Sequence, residues 1–237
     1  MKIQAVIFDW AGTVVDYGCH APVIVLEKIF AARGVPLEPS ESRHAMGLLK
    51  VDQIRKILEL PRVRKAWGTP TEQDVQELFR SFIPLQLEII ELHSNVIDGV
   101  PELVERLRSA GIRIGSTTGY TRAMIERLLP KAAQQGYAPD CVITPDDVGQ
   151  GRPYPWMIFE NMKRLGVYPP AHCAKVGDTP SDIAEGRNAG LITVGVTDSS
   201  SEASVGGPEY ARRILSEAGA DHLIAAAPDL WNIMETL

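Results

Sequence analysis

Apolar positions in this chain follow two different rhythms. Residues 3–8 are apolar except for Gln4, a run that predicts a buried parallel strand, and the run stops at Asp9 with Gly12 next able to turn the chain. Between Asp16 and Ser94 no strand pattern occurs, and apolar residues recur at helical spacing instead. Residues 22–33 predict a helix with Val23, Leu26, Ile29 and Phe30 on one face, stopped by Gly34 and Pro36. Residues 40–60 and 71–92 predict further helices, separated by a Pro- and Gly-containing turn at 61–70, and Pro84 is expected to kink or break the second. Beyond Gly99 short strands and helices alternate. Helices at 101–110, 121–135, 155–165, 181–189, 209–218 and 229–237 interleave with strands at 112–116, 141–143, 173–176, 192–196 and 222–224. A bend is expected at Pro130, and 197–207 reads as a Ser- and Gly-rich loop.

Strands that alternate with helices imply an α/β fold, a Rossmann-like parallel sheet core covered on both faces. The helical block interrupts that pattern after the first strand, which predicts an inserted all-helical cap domain. The expected division is residues 1–18 and 95–237 for the α/β catalytic core and 19–94 for the cap, joined near 17–21 and 94–99.

Composition narrows the function. The 237 residues are 45% hydrophobic and 23% charged, as in an ordinary globular protein. A net charge of -6 without a basic run makes nucleic acid an improbable partner. No apolar stretch is long enough for a membrane span, and the N-terminus lacks a signal-peptide pattern, so neither membrane nor secretion is expected. Cys19, Cys141 and Cys173 form no CxxC pair and are odd in number, which suits the cytoplasm. The five histidines show no close pairing, so zinc is not expected.

Chemistry concentrates at the strand ends. Asp9 stands where ligands collect in open α/β sheets and can serve as a nucleophile, a metal ligand or both. Ser116-Thr117-Thr118-Gly119 offers hydroxyls and N–H groups that can hold a phosphoryl oxygen. Arg152, between Gly151 and Pro153, can grip an oxyanion in two-point fashion. Asp178 and Asp182 follow another strand, four residues apart, and suit a hard cation. Taken singly, each has a plainer reading: a turn cap for Asp9, helix caps for Thr118 and the acid pair, and a solvated surface charge for Arg152. Together they fall in order at the ends of successive strands, which independent capping does not explain.

In that order Asp9-x-x-Gly-Thr, Ser116-Thr-Thr-Gly, Arg152-Pro and Gly177-Asp178-x-x-x-Asp182 resemble the four motifs of the haloacid-dehalogenase-like superfamily, and the inserted block resembles its helical cap. The resemblance implies that Asp9 attacks phosphorus to give an aspartyl-phosphate. It also implies Mg2+ held by Asp9, the backbone carbonyl of Ala11 and Asp178, with Asp182 in support and Thr118 and Arg152 on the phosphoryl group.

One departure bears on the reaction. Most phosphatases of that superfamily carry a second Asp two residues after the nucleophile, to protonate the departing oxygen. Here that position is Ala11. A carbon leaving group would not need such an acid if its electrons could flow into an adjacent iminium, which requires a lysine amine and a carbonyl substrate. Lys50 ends the otherwise apolar Met46-Gly47-Leu48-Leu49, where burial would lower its pKa, although a lysine so placed is more often a snorkelling surface residue.

Longer strings point the same way. Asp9-Trp10-Ala11-Gly-Thr, Met46-Gly-Leu-Leu-Lys50, Gly115-Ser-Thr-Thr-Gly119-Tyr120-Thr, Thr144-Pro-Asp-Asp-Val and Gly151-Arg-Pro-Tyr-Pro-Trp156 closely resemble the phosphonatase family of the superfamily. That resemblance implies an imine between Lys50 and the aldehyde of phosphonoacetaldehyde, C–P cleavage by Asp9, and a homodimer through cap helices. Cys19, Met46, Gly119 and Tyr120 match its substrate-pocket positions, where ordinary packing is an equal reading. Family members carry a His three residues after the lysine; this chain has Gln53. The alternatives are a phosphatase or phosphomutase of the same superfamily acting on a small phosphate ester, with Lys50 as a binding cation, and a non-catalytic sensor of a phosphorylated metabolite.

Overall fold

The computed structural model describes residues 3–237. Strand β1 (Ala5–Phe8) opens the chain and is followed by α1 (His20–Ala31), α2 (Pro39–Ser42), α3 (Lys50–Glu59), α4 (Pro61–Trp67) and α5 (Glu72–Ile89). Then come α6 (Val100–Ser109), β2 (Arg113–Thr117), α7 (Arg122–Gln134), β3 (Cys141–Ile143), α8 (Pro145–Val148) and α9 (Trp156–Leu165). The chain continues through β4 (Cys173–Gly177), α10 (Pro180–Ala189), β5 (Ile192–Val196), α11 (Ala203–Gly206), α12 (Pro208–Glu217), β6 (His222–Ile224) and α13 (Leu230–Ile233).

The six strands form one all-parallel sheet in the order β3-β2-β1-β4-β5-β6. The expected α/β class and parallel sheet therefore hold. β1 is central, so its C-terminal end lies between those of β2 and β4, and all three open toward the same edge. Its period-2 side chains separate the two faces of the sheet. Val6 and Phe8 join the large apolar cluster with α6 and α7, whereas Ala5 and Ile7 pack with Ile158 and Met162 of α9. The large cluster does not stop at the sheet. It runs through Val14 and Val15 into Leu26 and Phe30 of α1, Ile54 and Ile57 of α3 and Leu78 of α5.

Several expectations for the helical block need correction. Residues 40–60 do not form one helix: α2 ends at Ser42 and α3 begins only at Lys50. Gly47 lies between them at φ +85°, and a Cβ there would stand 2.4 Å from Thr179 Oγ1, so this loop leaves helical geometry to press its backbone against the core. The expected turn at 61–70 is largely helix α4, because Pro61 sits at the first helical positions, where no N–H is needed, and the helix ends at Gly68. Helix α5 continues through Pro84, so the chain does not break there, and α7 likewise runs on through Pro130, where only a bend is expected. Short α11 falls inside the expected loop 197–207, and the expected helix 229–237 shrinks to Leu230–Ile233. Among the described residues no helix is long and apolar enough to cross a membrane.

Candidate active site

Three neighbouring strands deliver polar residues to one edge of the sheet. β1 runs into Asp9, whose N–H donates to the Val176 carbonyl of β4 at 2.9 Å. Thr118 follows β2 and Asp178 follows β4. The turn after β1 passes so close to Asp178 that a Cβ on Gly12 would lie 2.4 Å from its Oδ2. Asp178 accepts from Thr13 Oγ1 at 3.1 Å and from the Ser201 N–H at 3.0 Å.

Arg152 enters from the loop between α8 and α9 and is fully buried. Its Nη2 donates to Asp9 Oδ1 at 2.6 Å, its Nε donates to Glu185 Oε2 at 3.0 Å, and its Nη1 lies 3.0 Å from Asp182 Oδ1. Lys175, inside β4, donates to Thr117 Oγ1 at 2.8 Å and sits 2.9 Å from Asp182 Oδ1 and 3.3 Å from Glu185 Oε2. These are charge-assisted contacts in a dry interior, where each is strong and none can be lost cheaply.

The charges do not balance. Arg152 and Lys175 face Asp9, Asp178, Asp182 and Glu185, so two cations meet four carboxylates and a formal excess of two negative charges remains. Burial pushes the Asp9 carboxyl up despite Arg152 beside it. Burial, then the charges of Asp9 and Asp182, drive Asp178 well above the usual carboxylate range. Burial acts on Asp182 too, but Arg152 and Lys175 outweigh it and hold that group low.

Such an arrangement fits a divalent cation. Asp9, Asp178 and Asp182 offer oxygens that all lie within 4.8 Å of one another, and an all-oxygen set suits a hard ion. Asp182 is already engaged by Arg152, Lys175 and the Thr179 hydroxyl at 2.6 Å, which leaves Asp9 and Asp178 as the better ligands. The same Thr179–Asp182 contact forms the capping box of α10, so the plainer reading of Asp182 is also correct.

The helical block closes over this edge. Asp9, Ala11, Cys19, Met46, Lys50, Thr118, Gly119, Tyr120 and Arg152 line one cavity of about 280 Å³, together with Pro22, Gly47 and Thr179. Sequence-derived candidates from both parts of the chain thus meet in one small space, with Asp178 and Asp182 behind its floor. Lys50, at the first turn of α3, is 2% exposed. Its Nζ donates to Gln53 Oε1 at 2.6 Å and lies 3.5 Å from Met46 Sδ and 6.0 Å from the centre of the Tyr120 ring. Gln53 Nε2 in turn donates to the His44 carbonyl at 3.2 Å. Burial lowers the Lys50 amine to about 8 against the opposing pull of the Asp9 carboxylate. Burial also pushes the Cys19 thiol and the Tyr120 phenol up, so both stay protonated near neutral pH.

Four contributors lay outside the candidate list. Lys175 interrupts an apolar strand, a signal visible in the sequence. Glu185 stands one helical turn after Asp182, a spacing that could have linked them. Thr117 precedes the chosen Thr118, and Ser201, whose contact is made by its backbone, carries no sequence signal.

A parallel α/β sheet with acids at adjacent strand ends and a helical cover over them defines a class. The chain belongs to the haloacid dehalogenase-like hydrolases, whose family model matches residues 3–190. Within that family it is similar to the phosphonoacetaldehyde hydrolase of Bacillus cereus, 48% identical over 99% of this chain and 96% of that one. It is likewise similar to that of Bacillus thuringiensis, 46% identical over 100% and 97%. A crystal structure of a phosphonoacetaldehyde hydrolase-like protein from Oleispira antarctica superposes with a TM-score of 0.96 at 32% identity, covering 100% of this chain and 92% of that one. A Clostridium difficile β-phosphoglucomutase (TM-score 0.75, 18% identity, 98% and 96% covered) shares the fold alone.

Proposed function

We propose that the protein hydrolyses the C–P bond of phosphonoacetaldehyde to acetaldehyde and phosphate. The observation that carries this reading is Lys50: a buried amine with a pKa of about 8 and, among the described residues, no carboxylate in contact, sharing a cavity with Asp9 and with Ala11. An ester phosphatase needs an acid near Ala11, and a merely binding cation gains nothing from a lowered pKa. The names of the relatives support the same substrate.

In the neutral form, about one molecule in ten at pH 7 for a pKa of about 8, the Lys50 amine adds to the aldehyde carbon and loses water to give an iminium. The Asp9 carboxylate then attacks phosphorus in line with the C–P bond. That bond breaks toward carbon, and its electron pair moves into the iminium to give an enamine, so no proton is required at Ala11. Water hydrolyses the aspartyl-phosphate. Protonation of the enamine carbon and hydrolysis of the imine release acetaldehyde and restore the amine. Arg152 and Thr118 hold the phosphoryl oxygens beside Asp9, with Gly119 close by. Met46, Cys19 and Tyr120 surround the aldehyde end. Gln53, which does not titrate, holds the amine without exchanging protons. Asp9, Asp178 and the Ala11 carbonyl would bind Mg2+, with Asp182 in support, and that ion would supply charge neutralisation for the phosphoryl group.

The same reading takes 1–18 and 95–237 as the catalytic core and 19–94 as a cap. It adds a homodimer through cap helices, for which exposed Ile24 and Leu92 offer apolar surface, and a cytoplasmic setting suited to three free thiols. Borohydride reduction in the presence of phosphonoacetaldehyde is the direct test. A reduced adduct on Lys50, absent in Lys50→Arg, is expected; equal labelling of both proteins would reject the imine.

A further inference from the structure

Arg43 lies just beyond α2 and is 7% exposed, yet among the described residues it makes no ion pair. Its hydrogen bonds go to neutral oxygens instead, and a single nitrogen makes both. Nη1 donates to the Gly18 carbonyl at 2.7 Å and to Ser201 Oγ at 3.2 Å. The carboxylate that feels its charge is the half-buried Glu202 beside Ser201, and none is in contact, so the neutral groups that the guanidinium joins indicate its use.

Those groups belong to three segments around the cavity. Gly18 is in the first connection to the helical block, directly before cavity-lining Cys19, and its N–H donates to the Ser199 carbonyl at 2.9 Å. Ser201 belongs to a turn whose serines 199, 200 and 201 are fully buried. From that turn the Ser201 N–H holds Asp178 Oδ2 at 3.0 Å, and Ser199 Oγ donates to the Gly12 carbonyl at 2.6 Å. The third segment is the loop 43–49 itself, which ends at Lys50. Beyond Arg43 it is fastened to the core by the Ser181 hydroxyl on the Met46 carbonyl at 3.1 Å and by Arg152 on the Gly47 carbonyl at 3.3 Å.

We propose that Arg43 is a positioning residue that ties the loop carrying Lys50 to the buried turn supporting Asp178, so that the amine and the metal-binding carboxylate reach working position together. Neither group touches Arg43; both are reached through one intervening segment. The link to Lys50 rests on the imine reading above, whereas the link to Asp178 does not.

Arg43→Met and Arg43→Lys are compared with the unaltered protein in two assays. One is calorimetric titration with Mg2+ in the absence of substrate. The other is the rate of borohydride trapping with phosphonoacetaldehyde. A displacement of about 1 Å can cost up to ~100-fold in a positioned reaction, so Arg43→Met is expected to trap about tenfold more slowly and to bind Mg2+ several-fold more weakly. Arg43→Lys, which keeps one donor, should recover part of both. Should Arg43→Met not fold, Ser201→Ala removes one of the two contacts and should move both readouts in the same direction by about two- to threefold. A folded Arg43→Met, or Ser201→Ala in its place, with both readouts unchanged overturns the proposal, as does a change in trapping alone. Absence of trapping in the unaltered protein would sink the imine reading instead, with the Mg2+ titration still deciding the tie between Arg43 and Asp178.

Discussion

Arg152 and Lys50 are both buried cations on one small cavity, but their surroundings differ in kind. The guanidinium contacts three carboxylates, from Asp9, Asp182 and Glu185, within 3.0 Å. The Lys50 amine is held by an amide oxygen and lies near a thioether sulfur. Burial disfavours charge at both positions. Where carboxylates answer it the charge stays, and Arg152 is a fixed part of the acid-lined floor. Where only an amide answers, burial wins and the amine falls to about 8. A guanidinium keeps its charge in either setting; for a lysine amine, which can lose its proton, the partner decides how far burial takes it toward the neutral form.

The largest test of this contrast removes the acid proposed to attack phosphorus and leaves the amine in place. Asp9→Asn should lower phosphate release by about a thousandfold or more, since the proposed nucleophile is gone. Imine trapping at Lys50 should persist within a few-fold, because the amine does not depend on Asp9 for its position. Loss of trapping in step with phosphate release, measured on the same preparation, would show that the two halves are not separable.

A smaller effect tests the amine's partner directly. In the proposed reaction Lys50 adds as the neutral base, and its lowered pKa moves the onset of that form down from 10.5 to about 8. The trapping rate should therefore rise about tenfold from pH 7 to a plateau above pH 8. Gln53→Glu would give the amine the kind of partner Arg152 has. A carboxylate at the present 2.6 Å contact favours the ammonium and should move the whole rise upward by about one pH unit or more. The variant should be slow at pH 7 and approach the unaltered protein in alkaline buffer. Superimposable pH profiles would mean that Gln53 does not set the state of Lys50.

The two regions also differed in how far they could be read from the chain. Residues at the strand ends were legible because a parallel sheet converts order in sequence into adjacency in space: Asp9, Thr118 and Asp178 follow neighbouring strands. Lys175 is visible as a charge inside an apolar strand, but one residue does not reveal which face it meets. In the helical block, Lys50 was found through its resemblance and the missing acid at Ala11, not through periodicity. Periodicity was misleading there. Residues 43–49 keep an apolar pattern that suits a helix, but the loop is fastened from outside by Ser181 and Arg152, long-range contacts that leave no local mark. The same applies to the turn at Ser201, whose backbone rather than its side chain reaches Asp178. Helix α4 failed for a different reason: Pro61 was read as a breaker when, at a first turn, it is a starter.

The smallest expected effect concerns Ala11, where the contrast makes a claim about what is not needed. If electrons leaving phosphorus are taken up by an iminium on Lys50, an acid beside Asp9 has nothing to protonate during C–P cleavage. Ala11→Asp would also add a carboxylate to a region that already carries two formal negative charges beyond its cations, where Asp9 and Asp178 are both pushed up. Phosphonate turnover at saturating Mg2+ is therefore expected to stay level or to fall by about two- to threefold. An alkyl phosphate ester, whose departing alkoxide needs a proton, provides the opposing measurement. There the same substitution should help rather than hinder, provided that Asp9 is intact. A several-fold gain on the phosphonate would mean that the departing carbon is waiting for a proton after all, and that the amine of Lys50 is not the sink for its electrons.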